Sequence, residues 1–234
     1  MKKAIFIVAL LLVGLTAQAQ SEVGTWSVTP KLGVSVSNMP GEDIYLTGSN
    51  DVLLNRKSIG GFMGGLGVSY QFADRMALNL EALYTEQGCK FKDALVTDYE
   101  AGVGGWGEGW SSASEKLSYL NVPLTLSYYV ADGLALNVGV QAGFLLKANR
   151  KYTTQGITID ANGEYTYGEL TDHDDDVKAI SKSVDFAIPV GLSYEYEHVV
   201  LDARYNIPVT KCNESGAKNS VLMFTVGYRF ALNN

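Results

Sequence analysis

The residues able to do chemistry are few and scattered. There are two histidines, His173 and His198. His173 stands inside the acidic run Asp172-His173-Asp174-Asp175-Asp176. An activated base needs a partner that orients it and a nucleophile within reach. No Ser or Asp pattern near His173 supplies that pair, and His198 belongs to a turn. Asp172, Asp174 and Asp176 are the candidate metal ligands, because hard divalent cations take carboxylate oxygens. Their spacing is not that of an EF-hand loop, which alternates Asp/Asn and then requires Gly. The plainer reading is a solvated, self-repelling segment. No catalytic set and no cofactor are implied, and the expectation is a non-enzymatic protein.

Three other groups could carry function. Cys89 and Cys212 are the only cysteines, and in an oxidising compartment they could pair. Both fall near the ends of strands that lie opposite each other in a barrel, so a disulfide would require the loops to fold over the mouth. The segment Gly102-Val103-Gly104-Gly105-Trp106-Gly107-Glu108-Gly109-Trp110 is rich in Gly and Trp. It lacks the Lys-Ser/Thr and the following helix of a phosphate loop. It reads as a loop whose Trp106 and Trp110 contact a sugar, a lipid headgroup or a protein, or cap the barrel mouth. Finally, Lys31, Glu81, Asp185, Glu195, Asp202, Arg204 and Arg229 are charges of both signs scattered through otherwise strand-like segments.

The elements that must position these residues have a period of two. Eight segments alternate, including Trp26/Val28 to Val36, Phe62 to Phe72, Leu78 to Tyr84 and Leu120 to Tyr128. The others are Leu136 to Phe144, Phe186 to Tyr196, Leu201 to Ile207 and Leu222 to Phe230. A repeat supports the count: Ser69-Tyr70-Gln71-Phe72-Ala73-Asp74-Arg75-Met76-Ala77-Leu78-Asn79 aligns with residues 127–137, and residues 193–202 form a shorter third copy. Each copy is strand, tight turn, strand. The intervening connections, about 38–57, 93–115, 152–181 and 211–218, are long. Residues 157–167 read as a hairpin with an Asn-Gly turn that extends the sheet. Short turns at one end and long loops at the other are the pattern of an outer-membrane barrel. Tyr70, Phe72, Tyr128, Tyr194, Tyr196, Tyr228 and Phe230 cluster at the tight-turn end, where an interfacial aromatic girdle belongs.

Alternation does not say which face is inside. The charged set lies on the polar face, which is otherwise rich in Gly, Ser and Ala and suits a narrow, side-chain-filled lumen. The apolar face has no charge across the strand centres, so it is placed against lipid. The expected fold is all-β: an eight-stranded antiparallel up-and-down transmembrane β-barrel. The charged set becomes a lumen network. At the N-terminus, Met1-Lys2-Lys3, an apolar stretch and Ala17-Gln18-Ala19 read as a signal peptide over residues 1–19, leaving residues 20–234 as the barrel domain. Hydrophobic residues make up 47% and charged residues 18%, and the net charge is −7. No basic run follows the leader, which excludes nucleic acid as a partner. The expected location is the outer membrane with both termini periplasmic. The expected partners are outer-membrane lipid and lipopolysaccharide, and a protein reached through the external loops.

The segment Tyr119-Leu120-Asn121-Val122-Pro123-Leu124-Thr125-Leu126-Ser127-Tyr128 resembles the Tyr-Leu-x-Ile-Pro-Leu-x-Leu-x-Tyr strand of PorT-like outer-membrane β-barrels of Bacteroidota. The following Ala-Asp-Gly turn and the final Val-Gly-Tyr-Arg-Phe strand are also similar to that family. The resemblance spans the mature chain. It implies the barrel architecture and, more loosely, a role in protein secretion. A structural or interaction role, a narrow solute channel and a lipid-modifying enzyme are the other readings.

Overall fold

The computed structural model describes residues 22–41, 44–46, 51–213 and 216–232. The leader over residues 1–19 lies outside them. The barrel is built from eight strands: β1 (Trp26–Asn38), β2 (Ile59–Ala73), β3 (Met76–Phe91), β4 (Gly104–Ala131), β5 (Leu134–Ile159), β6 (Val184–Tyr196), β7 (Val199–Pro208) and β8 (Ser220–Tyr228). Every sequential pair is antiparallel. The ring closes where β8 pairs with β1, with Lys31 opposite Gly227 and Val34 opposite Phe224. Phe230–Leu232 continues that pairing along the start of β1. The expected eight-stranded all-β barrel is the observed fold.

Sheet closure leaves no edge within the ring, so every backbone group there can be satisfied without water. Three two-residue turns connect β2 to β3, β4 to β5 and β6 to β7, closed by the pairs Ala73/Met76, Ala131/Leu134 and Tyr196/Val199. Gly133 and Glu197 take the left-handed backbone conformation in two of them (φ 72° and 53°). The aromatic girdle lies at this end, where Trp26 packs on Tyr70 at 4.7 Å and Tyr228 on Phe230 at 4.8 Å.

The burial pattern is inverted relative to a soluble protein. Leu32, Val34, Phe62, Leu66, Leu80 and Val138 are exposed, whereas Lys31, Asn79, Glu81, Asp202 and Arg204 are buried. Along β3, Ala77, Asn79, Glu81, Leu83, Thr85, Gln87 and Cys89 are buried at alternate positions from the turn to the mouth, where Gly88 is covered as well. Only a lipid environment stabilises such an outer face.

β4 and β5 are 28 and 26 residues long. A spanning strand needs about 9–11 residues. Their outer halves continue as a ribbon well past the other strands. Ala94–Glu100 pairs with residues 104–110 of β4, and Tyr165–Asp176 pairs with residues 149–159 of β5. The result is a four-stranded antiparallel sheet beyond the mouth. Residues 104–110 of the Gly/Trp-rich segment are therefore strand, not the loop their composition suggests, and Gly102 and Val103 belong to the turn before them. Glycine serves close pairing there: a Cβ on Gly105 would lie 2.0 Å from the Asp98 carbonyl oxygen. The hairpin expected over 157–167 is present, but its turn is not a two-residue Asn-Gly turn. It spans residues 160–164, with only Gly163 left-handed, and the Asp160 carboxylate accepts the Asn162 and Glu164 amides, both at 2.8 Å. The Glu164 amide, first among these contacts, holds Asp160 below the usual carboxylate range.

Two bulges set which residues face inward on the long strands. The pairing skips Leu146 on β5, and residues 112–113 of β4 stand opposite the single residue Tyr152. Ser112, in a left-handed conformation (φ 54°), marks the second. Each bulge shifts the alternation by one.

Candidate functional site

The lumen holds the first constellation. At its centre Glu81 bridges two cations. Lys31 Nζ approaches Glu81 Oε1 at 2.5 Å, and Arg204 Nη1 donates to Glu81 Oε2 at 2.7 Å. Arg204 Nη2 also donates to Asp202 Oδ2 at 2.8 Å, and Lys31 lies 3.6 Å from the same carboxylate oxygen. The four formal charges cancel, which offsets the cost of burying them. Nearer the tight turns, Arg229 pairs with Glu195 at 2.8 Å and donates to the Tyr129 hydroxyl at 3.2 Å. Six of the seven charges expected in the lumen are thus joined in two groups. Asp185 stands apart, near the mouth and against Gly143, where a Cβ would lie 2.2 Å from its Oδ1.

Neutral side chains that charge patterning does not reveal complete the filling. Asn79, Ser127, Asn137 and Ser193 form a hydrogen-bonded chain across four strands, with links of 2.8, 2.5 and 3.0 Å. Met63, Leu83, Val221 and Met223 form an apolar layer above the ionic cluster. The space left around the ionic cluster is about 20 Å³, roughly one water.

The mouth is closed by a second apolar cluster. Leu117, Tyr119, Leu145 and Ala148 from β4 and β5 pack with Met39, Val177 and Ala217 from the connections. Cys89 and Cys212 belong to the same cluster, both buried and both free thiols. The folding of loops over the mouth that a disulfide would require is present, with Cys212 fully covered. Burial pushes the Cys212 thiol up to about 12. At the cluster's rim Arg150 pairs with Glu115 at 2.8 Å. This pair goes unnoticed in the sequence because the bulge at Leu146 brings Arg150 onto the inner face.

The second constellation lies on the outer sheet. Trp110, Tyr152 and His173 stand side by side across three strands. The Trp110 and Tyr152 rings are 4.7 Å apart at 9°, and the Tyr152 and His173 rings are 4.5 Å apart at 13°. Thr154 Oγ1 and His173 Nε2 are 3.0 Å apart. Burial, with Asp175 beside it, raises the Tyr152 phenol. Trp106 lies on the same face, four residues before Trp110, and about half of it is exposed. Between these rows lies an open trough of about 710 Å³, with Gly156 and Gly168 at its floor.

The acidic run forms the edge of this sheet. Alternation puts Asp172, Asp174 and Asp176 on the face opposite His173. Asp172 accepts from Thr153 at 2.7 Å, Asp174 from Lys151 at 2.9 Å and Asn149 at 3.1 Å, and Asp176 from the Lys178 amide at 2.8 Å. The Lys151 contact lowers the Asp174 carboxyl. Each carboxylate is thus directed to a different neighbour. Among the described residues no group of three or more His, Cys, Asp or Glu is placed to hold a metal.

A closed eight-stranded ring, apolar toward the outside and polar within, defines a transmembrane β-barrel of the outer-membrane type. Residues 17–213 match the family model described as "Outer membrane protein beta-barrel domain", and the chain belongs to that family. It is an integral outer-membrane protein. No curated protein sequence matches it. Among solved structures, it is similar to Ail, the attachment invasion locus protein of Yersinia pestis, in complex with the heparin analogue sucrose octasulfate. The identity is 16%, the match covers 89% of this chain and 100% of that one, and the TM-score is 0.45. It is also similar to Neisserial surface protein A (16% identity, 88% and 97% covered, TM-score 0.42). A third similar structure is OprG from Pseudomonas aeruginosa (12% identity, 93% and 100% covered, TM-score 0.39).

Proposed function

We propose that this chain is a non-enzymatic outer-membrane anchor whose working surface is the four-stranded sheet beyond the mouth. In this reading the sheet is outside the cell, the tight turns and both termini are periplasmic, and the leader over residues 1–19 is removed on export. The apolar face contacts membrane lipid, with lipopolysaccharide around the rim. The observation that carries the proposal is the contrast between a sealed lumen and two strands that run on past the seal into an open sheet.

Replacing residues 93–113 and 152–176 by short turns removes the sheet and keeps the ring and the mouth cluster. The shortened protein should still show the heat-dependent gel shift of a folded barrel and should not complement a deletion strain. Full complementation would overturn the proposal. The small residual space in the lumen disfavours a solute channel, and planar-bilayer recordings with stable openings of defined size would reverse that judgement. A secretion role rests on the PorT-like strand over residues 119–128. Normal export of surface proteins in the deletion strain would remove it. A lipid-modifying role for His173 is disfavoured by its stacking on Tyr152 and contact with Thr154. Unchanged lipid profiles in His173→Ala would agree.

A further inference from the structure

We infer that the trough on the outer sheet is a binding site for a neutral glycan; this rests on the outer sheet being the working surface. Three observations support it. The first is shape. Trp106 walls one side and the Trp110–Tyr152–His173 ladder the other, while Gly156 and Gly168 keep the floor bare. On a pleated strand, residues four apart are about 13 Å apart. Glu108 stands between the two tryptophans, and Gly156 opposite it leaves the space beside the Glu108 carboxylate open between the aromatic rows. The second is chemistry. A pyranose has apolar C–H faces and a hydroxyl rim. The trough offers exposed aromatic surface, the Thr154, Thr158 and Thr166 hydroxyls, and the Glu108 carboxylate as an acceptor. No Lys or Arg is among the described residues that line it, so it is not built for a sulfated, phosphorylated or other anionic chain. The third is preorganisation. The ladder rings are held by each other and by the Thr154–His173 contact, so little side-chain freedom is lost on binding.

The floor also supplies a clean way to block the site. A Cβ at Gly156 meets nothing within 4 Å, so Gly156→Val occupies the trough without disturbing the sheet. Tyr165 pairs with Ile159 and faces the other side, so Tyr165→Ser is the matched control.

The chain has three tryptophans, two of them at the trough. In the Trp26→Phe background, tryptophan emission therefore reports the site. The full mature protein in detergent is titrated with neutral gluco-, manno- and galacto-hexasaccharides, with heparin as the anionic probe and phosphocholine as the cationic one. At least one neutral hexasaccharide should change the emission saturably. Gly156→Val and Trp106→Ala should weaken its binding by about tenfold or more, as expected for a central aromatic contact. Tyr165→Ser should leave it unchanged. The inference is overturned if no neutral hexasaccharide binds, if only heparin or phosphocholine binds, or if Tyr165→Ser weakens binding while Gly156→Val does not. Those results leave the outer-sheet proposal standing as long as the shortened protein fails to complement. Complementation by the shortened protein overturns that proposal separately.

Discussion

β4 and β5 carry one inner face through two environments. Below the mouth that face is enclosed, and it holds Asn121, Thr125, Asn137 and Gln141 in a lumen with paired charges. Beyond the mouth the same face is open on one side, and it holds Trp106, Trp110, Tyr152 and Thr158. The enclosed part selects polar groups that satisfy one another, because an unmatched group there has no water. The open part is free of that constraint and can present aromatic surface. The Arg150–Glu115 pair and the apolar cluster around Tyr119 mark the boundary. One ribbon thus acts as a wall in one region and as a platform in the other.

Substitutions should separate the two regions. The largest effect is expected at the centre of the enclosed part. Glu81→Ala leaves Lys31 and Arg204 buried with one carboxylate between them, and should cost about 3–5 kcal/mol. Urea unfolding in detergent reads this directly, and a change below 1 kcal/mol would mean that the ionic cluster is hydrated. Next comes the seal: Leu117→Ala opens a cavity in the mouth cluster and should cost roughly 2–5 kcal/mol, read in the same way. On the open part, Gly156→Val and Tyr165→Ser should each leave barrel stability within about 0.5 kcal/mol. A larger loss would show that the sheet is a structural part of the barrel. The smallest effect belongs to the edge strand. Lys151 keeps Asp174 below the ordinary carboxylate range, so its contribution is present at neutral pH and fades only as pH falls through that lowered value. Amide protection over residues 165–176, measured relative to the intrinsic exchange rate at each pH, should therefore fall in strong acid, and at neutral pH in Asp174→Asn.

The sequence made the barrel legible because period-two alternation persists through its strands. Lys31, Glu81, Asp202 and Arg204 could be grouped by face alone, since no bulge interrupts β1, β3 or β7 between them. The outer sheet was hidden for two physical reasons. Glycines that permit close strand pairing, such as Gly105, have the composition of a loop. The bulges at Leu146 and Ser112 also reverse the parity, so counting back from Leu120 puts Trp106 and Trp110 on the wrong face. Met63, Leu83, Val221 and Met223 fall on the inner face by the same alternation, but their residue type gave no sign that they form an apolar layer there. The meeting of Cys89 and Cys212 in one cluster depends on how the connections fold, which no strand pattern specifies.

In the proposed orientation the sealed barrel holds this sheet on the outside of the cell. Labelling of one introduced cysteine tests it most directly, since both native thiols are buried and give little background. Tyr165→Cys on the sheet and His198→Cys in a tight turn are each treated, in intact cells, with a maleimide that does not cross membranes. Tyr165→Cys should label in whole cells, and His198→Cys only after the envelope is opened. Labelling of His198→Cys in whole cells, with Tyr165→Cys protected, would contradict the account.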